Sequence, residues 1–138
     1  MIFKKSKEMK IEISKEDEIF LQSKENIKIV AEYPDVVAFD IYDDNTLIGF
    51  ALLHEYEKGK FFLWDYAIDN KYQNKGLGTK SLIELINYMK EEYNLKEMST
   101  TYIWGNDNAR KLYEKVGFIE TSVVDEDDIH EVNMELKI

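Results

Sequence analysis

Seven residues, Gln73-Asn74-Lys75-Gly76-Leu77-Gly78-Thr79, restrict what this chain can fold into more than any other stretch. They follow the aromatic run from Phe61 to Ile68, which reads as a buried strand. They open an apolar-periodic helix from about Gly78 to Tyr93. A strand-to-helix junction with glycines at 76 and 78 lets a ligand approach the backbone without Cβ obstruction. The first N–H groups of the helix lack intrahelical partners and sit at the positive end of its dipole, a ready seat for phosphate. The alternative is that both glycines serve only a tight turn. A Walker loop is ruled out, because Lys75 precedes the glycines rather than following them. The dinucleotide fingerprint fits poorly: it needs three glycines in the first βα unit, and this turn has two, past the midpoint of the chain.

The remaining pattern reads in order. The stretch from Met1 to Met9 is expected as a loose arm, and the alternation from Lys10 to Ser14 predicts a first strand. Apolar positions between Lys15 and Ala31 predict one or two short helices, stopped by Pro34. Val36 to Tyr42 and Thr46 to Leu53 read as strands joined at Asp43-Asp44-Asn45. The run Phe61 to Ile68 is apolar on both faces except for Asp65, which predicts a central strand. Leu82, Leu85, Ile86, Met89 and Tyr93 form one helical stripe. Met98 to Trp104 is a further strand, and a helix follows with Gly117 just past its end. Ile119 to Val124 and Glu131 to Ile138 pair as a closing hairpin around residues 125–128. The expected fold is α/β of the mixed α+β kind: one domain over residues 1–138, a mostly antiparallel sheet of six to seven strands, and helices on its faces.

Composition narrows the function. With 138 residues, 44% of them hydrophobic and 13% aromatic, the chain can bury a core. It contains no cysteine, which excludes a disulfide scaffold, a thiolate metal site and a cysteine nucleophile. His54 and His130 lack partners at metal-ligand spacing, so no metal is expected. A net charge of −10 argues against nucleic acid or an anionic membrane as partner. It favours a cationic substrate or simply serves solubility. With no long apolar run and no apolar segment after the N-terminal lysines, the cytoplasm is the expected location.

Two motifs carry a resemblance. The segment from Ile68 to Gly78, with Gln73-x-x-Gly76-x-Gly78, resembles the acyl-CoA loop of the GNAT superfamily of N-acetyltransferases. The segment from Asn106 to Phe118, with Ala109, Leu112, Tyr113 and Gly117, is similar to that family's Asn-x-x-Ala-x-x-Leu-Tyr-x-x-x-Gly-Phe helix. Together they cover roughly Phe39 to Ile138. The resemblance implies a sheet whose fourth and fifth strands splay apart to admit pantetheine, and acetyl-CoA as cosubstrate.

It also implies roles. Gln73, Asn74, Lys75, Gly76, Leu77, Gly78 and Thr79 would hold the pyrophosphate through main chain, Lys75 adding charge. Asn74 stands where relatives commonly have Gly or Arg. Backbone N–H groups near Ala67 and Ile68 would face the thioester oxygen. Tyr113 would be the general acid toward the coenzyme sulfur, against the reading of an ordinary core tyrosine. Asn106 would contact the pantetheine arm or cap its own helix, or both. An amine of pKa near 10.4 is neutral in only about one molecule in a thousand at pH 7, so a proton acceptor is needed. Asp65 is one candidate, because burial would raise its carboxyl. A water chain, or Glu32 or Asp35 on the acceptor side, are the others. Within the superfamily the residues are most like bacterial spermine/spermidine acetyltransferases. This implies a small-molecule amine acceptor and leaves peptide or protein amines, a non-catalytic acyl-CoA-binding module, and a homodimer open.

Overall fold

The computed structural model describes residues 1–138. Seven strands form one sheet: β1 (Ile2–Lys5), β2 (Val36–Asp43), β3 (Thr46–Glu57), β4 (Lys60–Ile68), β5 (Glu97–Ile103), β6 (Ile119–Glu126) and β7 (Ile129–Lys137). Their order is β1-β2-β3-β4-β5-β7-β6. Every neighbouring pair is antiparallel except β4 and β5, which are joined by the long helix α3 (Leu77–Tyr93). The other helices are α1 (Lys15–Glu18), α2 (Lys24–Val30) and α4 (Asp107–Val116). No helix is long and apolar enough to cross a membrane.

Both faces of the sheet are covered. On one, Leu82, Leu85, Ile86 and Met89 of α3 and Tyr113 of α4 pack with Phe39, Leu53, Leu63 and Met98 of the strands. Of the stripe predicted along α3, Leu82, Leu85, Ile86 and Met89 are buried and Tyr93, at the helix end, is half-buried against the same core. On the other face, Ile27 and Val30 of α2 lie against Ala38, Phe50 and Leu52. Alternate residues of β3 thus serve opposite cores, as a period of two requires.

The N-terminal expectations need correction. Lys10 to Ser14 is not a strand, and part of the supposed arm is: Ile2 pairs with Tyr42 and Lys5 with Phe39. Phe3 explains the docking, its ring 5.2 Å from Tyr88 and 6.4 Å from Phe39. Exposed Lys4 and Lys5 suit an edge strand, where charge discourages further pairing. Residues 9–13 instead cross the opposite face, burying Met9 and Ile11.

Replacing fully buried Leu85 with Ala is expected to lower the unfolding free energy by about 2–5 kcal/mol. Urea denaturation would show this as a lower midpoint at unchanged slope.

Candidate active site

β4 and β5 pair only from Lys60/Glu97 to Leu63/Thr100, although β4 runs on to Ile68 and β5 to Ile103. Beyond those pairs the strands part, and the gap opens into a cavity of about 350 Å³. The divergence begins at a bulge. Leu53 faces Leu63 and Leu52 faces Asp65, leaving Trp64 as an extra residue in β4. A bulge bends and twists its strand and resets the alternation of faces. Leu63 therefore points to the α3 side, Asp65 to the α1–α2 side and Tyr66 back to the α3 side.

The far end of the cavity is the start of α3. Asn74 and Gly76 adopt left-handed φ angles of 63° and 77°, which Asn and Gly tolerate best; this accounts for Asn at 74. Ser14, Ser23 and Asn106 cap α1, α2 and α4 through their side chains. The α3 cap, Gly76, has no side-chain cap and no acidic residue follows in the first turn. A Cβ at Gly76 would meet nothing within 4 Å, and one at Gly78 only Ile68, at 3.7 Å. The turn thus presents uncapped, positively polarised N–H groups to open space. Two hydrogen bonds hold it in place: Gln73 Nε2 donates to the Ile68 carbonyl at 2.9 Å, and the Tyr66 hydroxyl donates to the Gly78 carbonyl at 2.6 Å. Asp69 anchors the approach, its carboxylate accepting from the N–H groups of Lys71 and Glu12.

Of the residues singled out in the sequence, Ala67, Ile68, Gln73, Asn74, Gly76, Gly78 and Thr79 line the cavity, as do Asn106 and Tyr113 across from them. Asn106 also caps α4, accepting from Ala109 N–H at 3.3 Å. Tyr113 is 7% exposed. Burial pushes its phenol up to about 12, against a smaller downward pull from Thr100. Burial likewise raises Tyr66, with Tyr113 adding to the effect.

Five expected residues stand elsewhere. Leu77 packs on the main core, and the Lys75 ammonium lies 5.8 Å over the Tyr72 ring, outside the cavity wall. Glu32 is exposed and Asp35 pairs with His54 at 2.7 Å; neither lines the cavity. Asp65 is 3% exposed and closed off, its oxygens accepting from Gln22 N–H at 3.1 Å and Gln22 Nε2 at 2.6 Å. The wall it supports contains residues given no individual role from sequence: Asp17, Phe20 and Leu21 beside Trp64 of the bulge. The two histidines and the carboxylates form no metal-sized group.

The pattern of the Acetyltransferase (GNAT) family matches residues 6–118. The chain belongs to this family. It is 36% identical over 85 residues to a spermine/spermidine N(1)-acetyltransferase of Bacillus subtilis, a match covering 56% of this chain and 56% of that one. The chain therefore spans about half the length of the curated relatives it matches. Among solved structures, a GNAT family acetyltransferase from Elizabethkingia anophelis with acetyl-CoA bound superimposes with a TM-score of 0.73 at 17% identity, over 99% of this chain and 97% of that one. A spermidine N-acetyltransferase from Vibrio cholerae gives 0.71 at 20% identity, over 83% and 75%. These two likenesses are of fold, and the GNAT fold of this chain has the strand divergence described above.

Burial is the larger influence on Asp65 and lifts its carboxyl above the usual carboxylate range, Gln22 offsetting part of the rise. A raised folded value means that its contribution to stability is fully present below the unfolded value and falls as pH climbs through the folded one. The stability difference between wild type and Asp65→Asn should accordingly shift against wild type as pH rises across that window, then level off. Urea titrations of both proteins at a series of pH values check this.

Proposed function

We propose that the protein transfers the acetyl group of acetyl-CoA to a primary amine, with a polyamine such as spermidine or spermine as acceptor. The observation carrying this reading is one cavity that joins the uncapped start of α3 to the buried phenol of Tyr113 across the gap between β4 and β5. A diphosphate fits the glycine-bearing turn, because N–H donors, a helix dipole and unobstructed backbone coincide there. Bound acetyl-CoA would supply an activated acyl carbon as a thioester. The amine nitrogen bonds to that carbon as the carbon–sulfur bond breaks, and two protons must be handled.

Tyr113 attends to the sulfur. At a value near 12 its phenol stays protonated at neutral pH. Full transfer to a thiolate of ordinary pKa about 8.5 is uphill by roughly 5 kcal/mol. Its main contribution is therefore a hydrogen bond to the developing sulfur charge, with proton delivery completed as the amine proton leaves. β4 beyond Leu63, around Ala67 and Ile68, has no β5 partner, so an N–H group directed into the gap there would donate to the thioester oxygen. Asp65 is held behind Gln22, so the amine proton departs through cavity water, and Asp65 fixes the wall on the acceptor side. The polyamine assignment draws on the 36% identity to the spermine/spermidine enzyme and on the net charge of −10, which attracts polycations.

A thiol-release assay with acetyl-CoA against spermidine, spermine, aminoglycosides and basic peptides tests the reading. Release with the polyamines is expected; tight acetyl-CoA binding without release for any amine would contradict it. Tyr113→Phe should lower kcat by roughly 100-fold while leaving the Kd for acetyl-CoA within about twofold, as measured by calorimetry. Gly78→Glu introduces a side chain the backbone can accommodate. It should preserve the melting temperature and abolish coenzyme binding, by placing a carboxylate beside the diphosphate.

A further inference from the structure

Among the side chains lining the cavity between β4, β5 and α1, one carries a formal charge: Asp17. Its place is fixed locally. Ser14 caps α1 by accepting from the Asp17 N–H at 3.3 Å, and the preceding Glu16 is exposed and away from the cavity. Within the protein the Asp17 carboxylate meets no cation. Its one side-chain hydrogen bond is accepted at 3.3 Å from Gln73 Nε2, which makes its shorter bond to the Ile68 carbonyl. The cavity is lined on the same α1 side by Ile13, Phe20 and Leu21, with the exposed ring of Trp64 contributed by β4. A carboxylate held among apolar and aromatic groups with no internal counter-charge is a receptor for an ammonium group, and an indole face strengthens such a site.

We propose that Asp17 is the specificity-determining residue for the acceptor, pairing with a non-reacting ammonium of a diamine or polyamine whose other amine takes the acetyl group. This deepens the polyamine reading and rests on it. The role is recognition rather than proton abstraction. A carboxylate beside the reacting nitrogen would favour its charged form, whereas attack requires the neutral one. Beside a second nitrogen, the same attraction holds the acceptor without that cost.

The test compares 1,4-diaminobutane with the uncharged 1,4-butanediol binding to the protein saturated with coenzyme A, by calorimetry, in wild type and Asp17→Asn. Asparagine keeps an acceptor oxygen for Gln73, so coenzyme affinity is expected to stay within about twofold. Wild type should bind the diamine at least about tenfold more tightly than the diol, and Asp17→Asn should erase that preference while leaving the diol within about twofold. Equal losses for both compounds, an unaltered diamine affinity, weakened coenzyme binding alone, or no diamine binding by wild type would each overturn the assignment. Turnover is scored separately. Asp17-dependent diamine binding without acetyl transfer by wild type would sink the catalytic reading and leave this one standing.

Discussion

The site exists because β4 and β5 stop pairing after Leu63 and Thr100. Parallel neighbours normally continue their ladder, and ending it early leaves backbone donors and acceptors without strand partners. The extra residue at Trp64 turns β4 away at that point, while β5 stays registered with β7 through Ile103. Thr100 bridges the last closed step, its hydroxyl donating to the Leu63 carbonyl at 3.0 Å. The gap is kept open by cores on either side. Residues from α3 and α4 fill one face, and α2 with residues 9–11 fills the other.

Into that gap the fold directs two opposite electrostatic characters. The first turn of α3 offers polarised N–H groups in a chain whose overall charge is −10. The acidic balance lies elsewhere, so an anion is attracted locally at the glycine turn while cations are favoured over the rest of the surface. Gln73 stands where these characters meet, its amide shared between the Ile68 carbonyl and the Asp17 carboxylate. The turn that would grip a diphosphate and the α1 wall that would face the acceptor are thereby tied through one side chain.

The strand, turn and helix from Phe61 to Tyr93 were legible because each is marked locally: an aromatic run, two glycines and an apolar stripe. The hairpin of β6 and β7 announced itself through alternation at Val132 and Met134, both buried. What stayed hidden depends on geometry that sequence does not print. The facing of Asp65 is decided by the bulge at Trp64, and its enclosure by Gln22, 43 residues away in the chain. β1 was misplaced because Lys10 to Ser14 alternates more clearly than Ile2 to Lys5, whose docking comes from aromatic contacts of Phe3 with distant Phe39 and Tyr88. Asp17 sits among Glu16 and Glu18 in a four-residue helix, where nothing in the sequence tells the acid that faces inward from those that do not. Glu32 and Asp35 drew notice for their charge near the first helices, yet the α2–β2 turn carries them off the cavity wall.

The central claim is that the uncapped start of α3 holds a coenzyme's diphosphate while the cleft between β4 and β5 brings its sulfur to Tyr113. A crystal structure of the protein with acetyl-CoA tests it directly. Diphosphate oxygens within hydrogen-bond distance of N–H groups between residues 74 and 79, with the sulfur next to the Tyr113 hydroxyl, is the predicted result. A nucleotide seated away from that turn, or a phenol directed into the core and out of reach of the thioester, would contradict the account.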